Sequence, residues 1–200
     1  MSGMDTAVSI ALGIGLAAAV GFRIFLPLLV AAIAAYTGHL HLDDQFAWLG
    51  SLTAITMLSV AAVVEILAYY IPAVDNLLDS VTAPLALVAG TVVSAAVITD
   101  MPPLIKWSTA IIAGGGVAAI TQGVTTLVRA KSTAFTAGLG NPVVSTVEMF
   151  AAVIIALLAL LAPLAALALV VAICWATVRT VRRFLRNDRA AKQRAQSPAP

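Results

Sequence analysis

From Met149 to Val178 the chain runs for 30 residues without a charged side chain. As one straight helix that run would measure about 45 Å, well beyond the roughly 30 Å of a bilayer's hydrocarbon core. Pro163 divides it, and the flanking sequence then gives Val143–Ala162 and Leu164–Arg183, two stretches of 20 residues that each suit one crossing. Nothing but a membrane or a very large core can hide such a segment. A 200-residue chain that is 62% hydrophobic and 10% charged has no large core available, because a small sphere has too much surface. Soluble domains carry about 25% charged residues. An ordinary soluble enzyme is therefore excluded, as is a disulfide scaffold, since Cys174 stands alone.

Charge placement gives orientation. Seven of the 11 basic residues fall in the final 22 positions, whereas Arg23, Lys106, Arg129 and Lys131 are the only four before them. Directly after an apolar run, such a tail reads as a cytoplasmic anchor beside anionic lipid rather than a nucleic-acid arm. The expected organisation is one transmembrane domain over 1–184 and a basic, disordered cytoplasmic tail over 185–200. At the other end, Ala7–Leu16 has the length of a signal-peptide core. No basic residue precedes it and the apolar run continues past Ala19, so it reads as a retained first helix.

Six spans are expected in an all-α polytopic bundle: Thr6–Tyr36, Phe46–Ile71, Val81–Thr99, Trp107–Val128 and the two halves around Pro163. Both termini are then cytoplasmic. Thr6–Tyr36 is longer than one crossing needs and is interrupted by Gly21, Arg23 and Pro27. A second broken or re-entrant segment is expected near Gly138–Pro142, where Asn141 and Pro142 read as N-cap and first helical residue. Pro72–Ser80 reads as a short connector, and Arg129 and Lys131 as the start of a longer one. Tyr69, Tyr70, Trp48 and Trp107 fit an interfacial aromatic belt. Two local likenesses suggest a 3+3 inverted repeat, a common transporter plan: Gly13-x-Gly15-Leu-Ala-Ala with Gly114-x-Gly116-Val-Ala-Ala, and Val64-Glu65 with Val147-Glu148. Against it, both glutamates fall near inner helix ends, whereas an inverted repeat places equivalents at opposite depths.

Arg23, Glu65 and Glu148 are the ionisable residues expected inside spans. A charge at mid-bilayer costs roughly 2.5 to 3.5 kcal/mol, so such residues pair or line a solute path. Arg23 would pair with Glu65 or Glu148, or, together with the helix start at Asn141, meet an anion. Asp75 and Asp79, four apart, would share a helix face at the inner mouth. His39-x-His41-x-Asp43-Asp44 has metal-ligand residue types without a Cys or a spaced second pair, and reads as a solvated outer loop. Gly114-Gly115-Gly116 and Gly123 read as close helix contacts. No Ser-His-Asp or Cys-His set can be assembled, so no enzyme, cofactor or metal is expected.

Gly21-Phe22-Arg23-Ile24-Phe25-Leu26-Pro27, Glu65-x-x-Ala68-x-x-Ile71-Pro72-x-x-Asp75-x-x-x-Asp79 and Gly138-x-Gly140-Asn141-Pro142-x-x-Ser145-x-x-Glu148 together resemble a family of small bacterial membrane proteins known only as a domain of unknown function (DUF4126). The likeness covers most of the chain up to the tail, and departs where Tyr69-Tyr70 stand in place of a frequent Asp-Lys. It implies a multi-pass bacterial inner-membrane protein and brings no activity. The leading expectation is a transporter or channel for a small ion or polar solute. The alternatives are a lipid flippase or scramblase gripping an anionic headgroup, and a structural membrane protein. Small-residue helix faces add the expectation of a homodimer.

Overall fold

The computed structural model describes residues 3–99, 101–176 and 179; the tail assigned to 185–200 lies outside the described residues, as does the side chain of Asp75. Among the described residues all regular structure is helical. In chain order come α1 (Gly3–Val20), α2 (Phe25–Tyr36), a 3-10 segment (Asp44–Gly50), α3 (Leu52–Ala68), α4 (Pro72–Val97), α5 (Pro103–Thr109), a π turn (Ala110–Gly115), α6 (Gly116–Thr136) and α7 (Asn141–Leu161). A last helix, α8 (Pro163–Ala176), follows the break at Pro163. Among the described residues three stretches are long and apolar enough to cross a membrane: Leu77–Val97, Pro103–Thr136 and Asn141–Leu161. A fourth is the 3-10 segment with α3, bent by 65° where they join.

The long first span is corrected. Ser94 on α4 donates to the Gly13 carbonyl at 2.9 Å, and Gly90 lies beside Ala17, so α1 and α4 run antiparallel. After Gly21–Ile24 the chain turns back. By Asp43 it has returned to the α1–α4 level just described, where the Asp43 N–H donates to the Ala96 carbonyl at 2.8 Å. Residues 6–36 are therefore a helical hairpin, not one crossing. Glycine at position 21 permits the reversal, since a Cβ there would meet the Thr121 Cβ at 2.4 Å and the Ala118 carbonyl at 2.6 Å. At the far end of the chain, Gly15 faces Ala166, and Phe22 and Cys174 line one narrow crevice, so α8 runs parallel to α1. The start of α1 and the end of α8 thus lie at opposite ends of the bundle, while the two chain termini themselves, on which the expectation of a shared side rests, lie outside the described residues.

Two expected connectors are helical. Pro72 opens α4 in its first turn, where a missing N–H costs nothing, so Pro72–Ser80 belongs to a helix. Arg129 and Lys131 belong to α6, which ends only where Ala137 (φ 51°) and Gly138 (φ 89°) enter the left-handed region. The second broken segment is confined to residues 137–140.

The inverted repeat is also corrected. Gly13 and Gly114 both pack on Ser94, and Ala17 and Ala118 both on Gly90. The matching segments therefore run in the same direction down α4, while Glu65 and Glu148 lie on helices of opposite direction. No single inversion relates both pairs. The glycines matter instead as contact points. A Cβ on Gly114 would stand 2.1 Å from the Ser94 Oγ, and one on Gly115 2.4 Å from the Thr91 Oγ1. The π turn sits at this closest approach, and such turns are frequent at functional sites.

Gly114→Ala is expected to lower the thermal unfolding midpoint in detergent by the equivalent of about 1 to 3 kcal/mol, the usual range for overpacking. Gly116→Ala and Gly123→Ala face open space and should hold or raise the midpoint, as Ala is the better helix former. Equal effects at the three positions would contradict the packing described.

Candidate functional site

At the end of the bundle where α1 turns into α2, four helices and the turn itself bring polar side chains into the interior. Arg23 occupies the turn itself and is 2% exposed. Its Nη2 donates to the Ser145 carbonyl on α7 at 3.1 Å and lies 3.8 Å from the Glu148 Oε2. Glu148 also receives Arg129 of α6: Nε donates to Oε1 at 3.2 Å, and Nη2 donates to Oε2. Arg129, equally buried, reaches Asp79 of α4 through Nη1 at 3.5 Å. One carboxylate is thus shared by two guanidinium groups, and the second arginine spans two carboxylates.

Tyr69 supports both cations. The guanidinium carbons of Arg23 and Arg129 each lie 3.9 Å from its ring centroid, a cation–π arrangement that strengthens when desolvated. The Tyr69 hydroxyl donates to the Thr82 Oγ1 at 3.3 Å. Gln122 donates to the same oxygen at 2.9 Å, and the Ser145 hydroxyl donates to the Tyr69 carbonyl at 3.4 Å. Tyr69 is 3% exposed, so its assignment to the interfacial belt is corrected: it sits at the helix end, but inside the bundle.

Glu65 has a different task from the one expected. It forms none of the described salt bridges. Instead its Oε1 accepts the Ile24 N–H at 2.8 Å and its Oε2 accepts the Phe25 N–H at 3.1 Å. A carboxylate on α3 thereby caps the start of α2, where N–H groups have no partner within their own helix and the dipole favours negative charge. Of the two partners considered for Arg23, Glu148 is the one in contact. Asn141 is corrected as well. It is the first residue of α7 rather than its cap, and no side chain caps that helix start. Its Nδ2 donates to the Thr133 Oγ1 at 2.9 Å, tying α7 to α6. Asp79 joins the cluster; Asp75 lies on α4 with its side chain outside the described residues.

The opposite end of the bundle has its own link. Lys106 of α5 is 4% exposed, and its Nζ lies 2.7 Å from the Asp43 Oδ2 and 5.7 Å from the Phe46 ring centroid. The hydrogen bond from Lys106 holds the Asp43 carboxyl below the ordinary carboxylate range.

Sequence reasoning missed Arg129, Tyr69, Thr82 and Gln122. Arg129 carried a usable signal, since it lies 12 residues past Val117 on an uninterrupted helical pattern.

Arg129→Ala strands Glu148 beside one remaining cation, and should destabilise by about 3 to 5 kcal/mol, as breaking a buried ion pair does. Arg129→Met combined with Glu148→Leu should cost less than the sum of the two single losses, because the residues are coupled, but it should not restore the parent, since Arg23 and Asp79 then each lose an ionic partner. A double-mutant cycle of thermal midpoints measures this, and additive losses would show that the two residues are uncoupled.

The family model described as a domain of unknown function (DUF4126) matches residues 10–183. No curated protein and no solved structure matches the chain. The matched segment begins within α1, passes the end of α8 and contains every residue of the charged cluster, and the chain belongs to the DUF4126 family, whose description carries no activity.

Proposed function

We propose that this multi-pass membrane protein carries a small ion or polar solute across the bilayer, as a transporter or channel, with Arg23, Glu148, Arg129 and Asp79 forming its site. The observation that carries the proposal is the state of Arg23. It is 2% exposed, yet its Nε and Nη1 have no hydrogen-bond partner among the described residues. Buried donors without acceptors are costly, and a solute bearing carboxylate, phosphate or carbonyl oxygens supplies the acceptors. Two further features agree. The cluster lies where α1 and α2 meet at a break, and irregular backbone at membrane depth is tolerated where it is buried in protein or lines a cavity. A niche of about 200 Å³ lined by Asp79, Ser80, Thr126 and Ala130 approaches the cluster from the α4–α6 side. Protonation of Glu148 would remove the charge that both arginines share and release them toward the solute, which couples uptake to protons.

The same reading assigns the bilayer orientation. Arg129 and Lys131 on α6, and Arg179, whose guanidinium lies 5.0 Å from the Trp175 ring centroid just past α8, stand at the Arg23 end, so that end faces the cytoplasm and the start of α1 faces outward with Asp43. Counting the hairpin as two passes and α8 as one gives seven, in place of the six expected from hydropathy. With Cys174 replaced, single cysteines at Asp5 and Asp44 should react with an impermeant reagent on intact cells, and one at Lys131 only after permeabilisation. Asp5 and Lys131 reacting from the same side would overturn the orientation.

Flux into liposomes, screened over monovalent anions, carboxylates and neutral solutes with and without a pH gradient, tests the function. Arg23→Lys should cut flux at least tenfold, the loss equivalent to about 1.4 kcal/mol, because lysine lacks the planar fork that grips two oxygens. Glu148→Gln should abolish the response to pH. Unchanged flux and pH profile in both folded variants would confine the cluster to a structural role, and headgroup exposure without solute flux would favour the lipid-handling alternative.

A further inference from the structure

Between α3 and α4 the bundle opens sideways. The two helices splay apart below the connection at residues 69–71 and leave a groove of about 600 Å³, floored by the start of α2 at Ile24 and Phe25. Its walls are apolar and face outward: Met57, Val60, Val64, Val81 and Leu85 are 69, 60, 59, 50 and 45% exposed. The volume falls within the range of sites that enclose small ligands, about 300 to 1,000 Å³. We propose that this groove is a resident-lipid site, which takes one acyl chain of a phospholipid from the leaflet at the Arg23 end. The inference does not depend on the transport reading.

Three observations select an acyl chain. The first is depth. The groove follows α3 from Ala68 to Thr56, 12 residues and so about 18 Å, close to the roughly 15 Å that one leaflet contributes to the hydrocarbon core. The second is the chemistry of the floor. The polar residues that border the groove, Thr56, Glu65 and Thr82, already have partners: the Thr56 hydroxyl donates to the Leu52 carbonyl, both Glu65 oxygens accept backbone N–H groups, and the Thr82 oxygen accepts from Tyr69 and Gln122. No group there calls for a headgroup or a water, and apolar recesses stay dry. The third is cohesion. A recess without filling atoms forfeits the dispersion contacts of its whole lining, and hydrocarbon is the material at hand. The chain then completes the wall between the buried cluster and the bilayer on the α3–α4 side, where Glu65 and Thr82 line the groove.

The test uses the full chain in vesicles of phosphatidylethanolamine and phosphatidylglycerol containing a phospholipid with a diazirine midway along one acyl chain. After irradiation, adducts should concentrate on Met57, Val60, Val64, Val81 and Leu85, several-fold above those on Val147 and Ile154 of α7, which are 64 and 60% exposed. Ala61→Trp, which fills the groove, should lower the α3 and α4 adducts several-fold and leave those on α7 unchanged. Its thermal midpoint without lipid should equal or exceed that of the parent, and it should lose the parent's gain on lipid addition. Equal labelling of the two faces would overturn the proposal by reducing the groove to ordinary annular contact, as would a groove protected from the probe by a second copy of the chain. The comparison of faces in the parent protein decides the matter even if Ala61→Trp fails to fold.

Discussion

The Glu148 carboxylate holds two arginines, and the arrangement of the bundle at the Arg23 end follows from that sharing. Arg23 comes from the turn between α1 and α2, Arg129 from α6, and Glu148 from α7, so one acidic group joins three segments that are distant in sequence. Each arginine would carry a heavy desolvation cost alone. Together with Asp79 they form two cations against two anions, stacked on a single tyrosine ring. Glu65, the third carboxylate nearby, directs its charge to backbone N–H groups and leaves that balance intact.

Local charge balance of this kind is compatible with motion. The contacts are graded: the second arginine grips Glu148 through two nitrogens, whereas Arg23 stands 3.8 Å from the same carboxylate and Arg129 stands 3.5 Å from Asp79. Arg23 is also the residue placed on irregular backbone, between two helices rather than within one. A change in the protonation of Glu148 would act first on the looser of its partners, which sits in the turn between α1 and α2.

Much of this was legible in the sequence. Apolar runs and the rarity of charge identify a helical membrane protein, because every polar backbone group in lipid must be satisfied internally. Proline and glycine mark the breaks: Pro163 separates α7 from α8, and Gly21 and Gly138 fall at the two irregular turns. Arg23 and Glu148 stand out as charges within apolar sequence. Direction did not show, since an apolar run has the same hydropathy whether it continues or folds back, and the Thr6–Tyr36 stretch hid a hairpin for that reason. Arg129 escaped notice because a basic residue at the end of an apolar run ordinarily snorkels to the interface, and only the continuation of α6 to Thr136 shows that it is enclosed. Tyr69 escaped for a similar reason, as aromatic residues at helix ends usually meet headgroups.

The cap that α3 places on α2 bears on how the chain enters the membrane. At 12 residues, α2 is about 18 Å long and too short to be retained by hydrophobicity alone. The carboxylate that satisfies its first amides is encoded some 40 residues later, at Glu65. While α1 and α2 leave the ribosome, that cap has not yet been synthesised. A chain ending before α3 therefore leaves the first amides of α2 without that partner, and residues up to Ala68 are the shortest stretch in which the hairpin carries its own cap.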